Sequence, residues 1–248
     1  MWRQSVVLFL VGVAYAAMPL PPYLKPCARS DPNFNACALK HGREAVDSLV
    51  KGDKNYKIPN LNPITIRQIK VKQGPSQAGY ELTLNDVKVH GVDGVSVEKT
   101  DFDFDKQHIA IELKFPALYI LCKYDISGRI LVLPIRGNGD ANLTMVDNNL
   151  EFSVDYTLQE KDGNTHLVIT KSQAVLKPRR VYIHLSNLFN GDKFLGNQMN
   201  EFMNENWRDV FKEMSPEISK NMAEIISNVV NNISSLLTFD SLFPEKLP

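Results

Sequence analysis

The feature that most constrains this chain is an apolar stripe near its end. Between residues 194 and 237, apolar side chains recur at Leu195, Met199, Phe202, Met203, Trp207, Val210, Phe211, Met214, Ile218, Met222, Ile225, Ile226, Val229, Val230, Ile233, Leu236 and Leu237. The step averages roughly 3.7 residues, close to the helical period, so one side of a helix stays apolar throughout. At ~1.5 Å per residue such a helix would be about 60 Å long. Asn200, Glu201, Asn204, Asp209, Lys212, Glu213, Lys220 and Glu224 lie between the apolar positions, which excludes a membrane span. The rest of the chain must therefore supply a cover for the stripe. Ser215-Pro216-Glu217 interrupts it and reads either as a fresh helix start, with Ser as N-cap and Pro at the first position, or as a kink in one helix. Because the stripe keeps its phase across the proline, two nearly collinear helices meeting there are expected.

From residue 64 to about 186 the apolar period changes to two. Candidate strands cover 64–72, 80–90, 92–97, 100–104, 109–115, 118–126, 129–135, 142–146, 150–158, 165–177 and 181–185. Ser127-Gly128, Asp147-Asn148-Asn149 and Asp162-Gly163 are turn signals between them, so an antiparallel meander is expected. Within the first strand the apolar set moves from Ile64 and Ile66 to Ile69 and Val71, and within the second from Tyr80, Leu82 and Leu84 to Val87 and Val89. Such slips are the trace of bulges, which bend strands. A strongly curved sheet with an apolar inner face and a long helix with an apolar stripe combine in one way: the sheet wraps the helix. A cylinder against a twisted sheet leaves room for an elongated hydrophobic tunnel. The fold class is thus α+β, a curved antiparallel sheet around a long C-terminal helix.

The beginning of the chain sets the compartment. Met1-Trp2-Arg3, an apolar run over 6–17 and the small-x-small pattern Ala14-Tyr15-Ala16 make a secretory signal peptide over 1–16, with Met18-Pro19-Leu20-Pro21-Pro22 breaking any helix that follows. Residues 17–248 form a single domain, since no repeat or Pro/Gly-rich linker divides them. In an oxidising compartment Cys27 and Cys37 are close enough in sequence to form a small disulfide loop, and Cys122 is left as a buried thiol. Two sequons, Asn142-Leu143-Thr144 and Asn232-Ile233-Ser234, mark Asn142 and Asn232 as glycosylation candidates. A first helix is read after Asp31-Pro32, through Phe34 and Val50 to Gly52.

Several motifs together resemble one family. Pro22-Tyr23-Leu24-Lys25-Pro26-Cys27 with Asp31-Pro32-Asn33-Phe34-Asn35-Ala36-Cys37 is similar to the amino-terminal signature of the insect takeout and juvenile-hormone-binding proteins. The likeness continues through Ile58-Pro59-Asn60-Leu61-Asn62-Pro63 and Tyr124-Asp125-Ile126-Ser127-Gly128-Arg129, then Gly137-Asn138-Gly139 and Leu185-Ser186-Asn187-Leu188-Phe189-Asn190-Gly191. It ends in Asn200, Phe202-Met203-Asn204-Glu205-Asn206-Trp207 and Asp240-Ser241-Leu242-Phe243-Pro244. The resemblance implies a secreted carrier that encloses an extended hydrophobic ligand: a terpenoid, a juvenile-hormone-like molecule or a long-chain lipid. With one cysteine beyond Cys27 and Cys37, the chain lacks the second disulfide of the hormone-binding branch and resembles the takeout branch.

Enzymatic chemistry needs a constellation that the sequence does not display. There is no G-x-S-x-G elbow, H-E-x-x-H or Walker loop, and Gly137-Asn138-Gly139 lacks the third glycine of a dinucleotide site. His41, His90, His108, His166 and His184 are scattered without ligand spacing, so no metal and no cofactor is expected. Lys and Arg equal Asp and Glu at 28 each without a basic block, which argues against nucleic acid and against an electrostatic membrane anchor. The expected partner is a hydrophobic small molecule, with an unidentified receptor as a further partner and no stable membrane insertion. From pattern, the tunnel lining comprises Val46 and Leu49 on the first helix and Phe102, Phe104, Leu113, Phe115, Leu131 and Phe152 on the sheet. Met199, Phe202, Met203, Trp207, Val210 and Met214 add the stripe, and the hydroxyls of Tyr124 and Tyr156 can orient a polar end. An apolar stripe at helical spacing is ordinarily core, and either tyrosine hydroxyl reads equally as hydrogen-bonded structure. A membrane-interacting lipid-transfer module and a ligand-free signalling protein of the same fold are the alternatives.

Overall fold

A computed structural model describes residues 18–74 and 79–247; the expected signal peptide lies outside the described residues. Helix α1 (Phe34–Lys51) is followed by strands β1 (Ile64–Gln73), β2 (Tyr80–His90), β3 (Ser96–Asp103), β4 (His108–Ile130), β5 (Leu133–Lys161) and β6 (Asn164–Leu185). Helices α2 (Lys193–Glu205), α3 (Trp207–Ser234) and the short α4 (Phe239–Leu242) complete it. The strands form one antiparallel sheet in the order β1-β2-β4-β5-β6, with β3 pairing the other half of β4. Among the described residues no helix is long and apolar enough to cross a membrane.

The many short strands read from the sequence merge into a few long ones. β4, β5 and β6 have 23, 29 and 22 residues. At ~3.3 Å per residue β5 would reach about 95 Å if straight, so it must fold over on itself. It does so at Asp147, whose φ of 49° lies in the left-handed region. Pairing on either side of this point keeps one register: Phe115 with Asn148 and Ala117 with Val146 toward β4, Val146 with Arg180 and Asn148 with Pro178 toward β6. The buried set nevertheless changes parity in all three strands, from Ile109 and Phe115 to Leu118 and Cys122 on β4, and from Met145 to Leu150 on β5. On β6 it moves from Ala174 and Leu176 to Val181 and Ile183. Pro116, Asp147 and Arg179 therefore form a fold line across the sheet. Asn148, fully buried beside it, donates to the carbonyls of Met145 (2.9 Å) and Phe115 (3.3 Å) that the bend frees.

Asp147-Asn148-Asn149 is thus a bend inside a strand and not the expected turn. Ser127-Gly128 is also inside a strand; the turn comes later, at Leu131 (φ 54°) and Val132. Gly128 is required because a Cβ there would meet the Gly79 carbonyl oxygen at 2.3 Å. Asp162-Gly163 is the hairpin turn expected, with positive φ at both residues. The slip read in β2 is a bulge, where pairing with β4 shifts between Asn85 and Lys88. β1 follows β2 through the slip in constant register.

The long stripe divides at Asn206 instead of Pro216. Asn206 leaves the helical region (φ −101°, ψ 26°), and its carbonyl receives the Asp209 and Val210 amides that start α3. Pro216 is carried inside α3 on its exposed side. A proline there removes the donor for the Lys212 carbonyl, and the Ser215 hydroxyl supplies one instead at 3.1 Å. Helix α1 begins at Phe34 because Asp31 closes a turn first, accepting from the Phe34 amide through its carbonyl and from the Asn33 amide through its carboxylate.

The β6 and β3 edges of the sheet are covered by helices that pair with strand backbone through side chains. On α2, Asn200 accepts from the Leu185 amide (2.9 Å) and donates to its carbonyl (2.9 Å); Asn204 does the same for Ile183 (3.0 and 2.6 Å). Asn231 on α3 accepts from the Ile169 amide. At the β3 edge, Asn35 accepts from the Phe102 amide and Arg43 donates to the Val97 carbonyl. An exposed edge invites pairing with another chain. Here amides four residues apart on one helix face match two-residue spacing along β6.

Candidate functional site

Between the inner face of the sheet and the stripe of α2 and α3 lies one apolar interior. Phe115, Tyr124, Ile135, Met145, Leu150, Phe152, Val181, Met199, Met203, Trp207 and Val210 are buried in it, with Phe202, Phe211, Met214, Ile218 and Met222 packed against its margin. Toward α2 the space is occupied by the buried side chains of Met199, Met203, Trp207 and Val210. Toward the far end of α3 it opens into a cavity of about 240 Å³.

This cavity is lined by segments from all parts of the chain and is partly open to solvent. Leu20 and Leu24 close it from the N-terminal arm, Phe34, Ala38, Ala45 and Leu49 from α1, and Phe102, Ile109 and Leu167 from the sheet. Val230 and Ile233 of α3 with Leu242 and Phe243 complete it. The Cys27–Cys37 disulfide forms as expected and ties the arm to α1, with Cys27 in the cavity wall. Polar groups are few: Lys25, His41 and Ser234. His41 Nδ1 lies 3.0 Å from the Lys25 carbonyl oxygen, which can only accept, so Nδ1 carries a proton and, in the neutral ring, Nε2 is the acceptor. Its contacts with the two sulfurs do not make a metal centre, because both sulfurs are spent in the disulfide. A larger hollow of about 350 Å³ lies on the outer face of the sheet, among Lys99, Asp101, His108, Glu112 and Glu151. Its charged wall suits water rather than an apolar guest.

The C-terminal segment forms one wall of the cavity through Leu242 and Phe243. Phe34, Phe102, Phe104, Phe239 and Phe243 form an aromatic cluster with centroids 4.9 Å apart for Phe34 and Phe104 and 5.5 Å for Phe239 and Phe243. The Arg29 guanidinium lies 4.8 Å over the Phe239 ring and binds Asp240 at 2.7 Å, and the Arg29 amide donates to the Pro244 carbonyl. The end of the chain is thereby fixed to the arm that precedes α1.

Of the residues singled out from sequence, Leu49 and Phe102 line the cavity, and Phe104 stands beside it in the aromatic cluster. Val46, Leu113, Phe115, Phe152, Met199, Phe202, Met203, Trp207, Val210 and Met214 face the contiguous interior. Leu131 sits at the β4–β5 hairpin, partly buried against the same core. Tyr124 spends its proton on the Ser186 carbonyl at 2.6 Å, and burial pushes its phenol up to about 12. Tyr156 is buried near Phe239, and burial raises its phenol as well. Two inward hydroxyls carry no signal in the sequence: Tyr80, pushed up to about 12 by burial and then by the Glu213 carboxylate, and Ser227. Both are buried and have no hydrogen-bond partner among the described residues. Cys122 is a buried thiol raised to about 11, first by burial and then by Asp140, which fits an unreactive role. The residues that sequence reasoning missed, Leu20, Leu24, His41, Ile109, Leu167 and Phe243, come from segments with no common pattern.

Residues 6–244 match the family described as haemolymph juvenile hormone binding protein (JHBP). The circadian clock-controlled protein daywake of Drosophila melanogaster is 25% identical over 197 residues, which cover 76% of this chain and 75% of the relative. Its Drosophila yakuba counterpart is 23% identical over the same share of each. The crystal structure of Epiphyas postvittana takeout 1 superposes with a TM-score of 0.78 at 22% identity, covering 88% of this chain and 98% of that one, and shows the same fold.

Proposed function

The chain belongs to the haemolymph juvenile hormone binding protein family, a family of binding proteins and not of enzymes, and from that premise we propose that it is a secreted carrier of an extended hydrophobic small molecule. The observation that carries the reading is the apolar cavity under α1 and the end of α3, continuous with the interior that runs along the helix stripe. A terpenoid or the tail of a long-chain lipid enters by giving up its contact with water, at about 25 cal/mol per Å² of apolar surface before ordering costs. The cavity of about 240 Å³ is smaller than the ~300–1,000 Å³ common for ligand pockets. A long ligand therefore extends it into a tunnel by displacing flexible side chains along the stripe, and Met214 and Met222 are placed for that. His41 Nε2, the Ser227 hydroxyl and the Tyr80 hydroxyl offer the few polar contacts that would choose among ligands.

Native mass spectrometry of protein collected from the medium of insect cells tests this reading. The expected result is an adduct, released by denaturation, with the mass of a terpenoid or lipid, or uptake from a panel of such molecules. Protein in the medium that stays free of adducts and takes up nothing from the panel would remove the carrier reading.

A further inference from the structure

The outer face of the sheet is studded with cross-strand ion pairs: Lys123 with Asp140, Lys177 with Glu151, and Arg179 with Asp147. Two neighbouring rows on β4, β5 and β6 break the pattern. One row is Tyr119, Thr144 and Tyr182; the other is Leu121, Asn142 and His184. Tyr119, Leu121 and Tyr182 are 47%, 42% and 51% exposed, on the same sheet face as these ion pairs. Large apolar side chains clustered on a surface call for a cover.

The same two rows contain the sequon Asn142-Leu143-Thr144. Leu143 points into the core, while Asn142 is exposed and its side-chain amide makes no hydrogen bond among the described residues. Diagonal neighbours on a sheet are ~7–8 Å apart, so a first sugar on Asn142 reaches both tyrosine rings. Arg180 lies 4.9 Å over the Tyr182 ring, and Tyr182 still has half its surface exposed. The second sequon has a different setting. Asn232 is within α3 and its Nδ2 already donates to the Lys57 carbonyl at 2.9 Å, while Ser234 is buried.

We infer that Asn142 carries an N-linked glycan whose first sugars lie over Tyr119, Leu121 and Tyr182. The inference rests on the secretion proposed above, because the sugar donor is found in the secretory pathway. In the step itself, Asn142 Nδ2 bonds to the anomeric carbon of an oligosaccharide carried on a lipid pyrophosphate. The carbon–oxygen bond to the pyrophosphate breaks, the pyrophosphate leaves with the electron pair, and the amide gives up one proton. The apolar faces of the sugar rings then cover the aromatic rings, and their hydroxyls restore a wet outer surface.

The full chain, with its own N-terminal segment, is expressed in insect cells, and glycopeptides of Asn142 and Asn232 are mapped in medium and cell fractions. Asn142 glycosylated and Asn232 bare is the expected outcome. The glycan is then removed from the folded protein with an N-glycosidase, and binding of an apolar dye is compared before and after. Dye binding rises by roughly two-fold or more on removal, and the rise is absent in the Tyr119→Ser/Tyr182→Ser variant. Protein in the medium with Asn142 bare overturns the inference and leaves the carrier reading standing, including the case in which a second copy covers the patch. A glycan whose removal leaves dye binding unchanged overturns the covering role. Protein retained in the cytosol overturns the secretion proposal together with this one.

Discussion

Asn204 gives the sharpest test of how the sheet edge is closed. Its Oδ1 accepts from the Ile183 amide at 3.0 Å, and its Nδ2 donates to the carbonyls of Ile183 (2.6 Å) and Asn200 (2.7 Å). Truncation in Asn204→Ala leaves the Ile183 amide and carbonyl without partners under α2. At about 1–3 kcal/mol for each orphaned group, partly relieved by water at the margin, the loss is about 2–4 kcal/mol. Asn204→Asp is the discriminating variant, because it keeps the acceptor and replaces the donor with an oxygen facing two carbonyls. Ionised, it repels both, so at pH 7 it should be less stable than the alanine variant. The folded pKa of the introduced carboxyl is raised above the ~3.9 of an unfolded aspartate, so the folded state holds the proton more tightly and stability is lost as pH rises above that value. The deficit against wild type should therefore shrink between pH 7 and pH 4. Urea unfolding followed by circular dichroism at the two pH values measures this. An Asn204→Asp protein no less stable than Asn204→Ala at pH 7, or a deficit independent of pH, would refute the claim that this side chain acts as a strand partner.

Other positions make independent predictions. Gly139→Ala places a Cβ 2.6 Å from Ser186 Oγ and 2.7 Å from the Ser186 carbonyl oxygen, where the chain crosses β5, and should lower stability in urea by about 1–3 kcal/mol. Cys122, with its thiol raised to about 11, should resist a thiol reagent at pH 8 in the folded protein and react at once in denaturant. Tyr80 should confer alkaline instability: between its unfolded value of 10.0 and its folded value of about 12 the unfolded chain ionises while the folded one does not. Stability is thus full below pH 10 and falls above it, by up to about 1.4 kcal/mol per pH unit, and Tyr80→Phe should flatten the slope seen in unfolding curves. Gly42→Leu should be stabilised by about 0.5–1 kcal/mol, since Gly42 lies inside α1 with no atom within 4 Å of its Cβ position, and should take up less lipid in native mass spectra. A destabilised Gly42→Leu protein, or one with undiminished uptake, would contradict the placement of the cavity.

How much of this was legible in the sequence follows from the range over which each signal acts. The stripe from Leu195 to Val230 depends on neighbours three and four residues away, and the helices are where it puts them. The site of the break is different, because Pro216 is a strong local signal that Ser215 offsets with one hydroxyl, whereas Asn206 has no such signal. In the sheet, Asp147-Asn148-Asn149 and Ser127-Gly128 have turn composition because their backbone conformations are those of turns. Whether such a bend ends a strand depends on two partner strands bending in step, and that information lies some 30 residues away on either side. Tyr124 could be placed on the inner face by alternation, but its bond to Ser186 could not be seen, since Ser186 reaches it only through the crossing that Gly137 and Gly139 permit.

The position of the cavity has a cause that hydropathy does not weigh. Where the interior is filled, the helices present Met199, Met203, Trp207 and Val210, whose volumes take up the space under the sheet. Where it is open, they present small residues: Ala38, Gly42 and Ala45 on α1, and Ser234 at the end of α3. Close packing elsewhere in the core means that helices held at a fixed distance cannot collapse onto small side chains. That distance is held here by the Cys27–Cys37 disulfide, by Asn35 and Arg43 on the β3 edge and by Asn231 on β6, each of which fixes a helix to a strand or arm without filling the space between. The cavity is therefore written as a pairing of rigid edge contacts with small inward residues. Enlarging any one of the small residues should close it while the fold stays as it is.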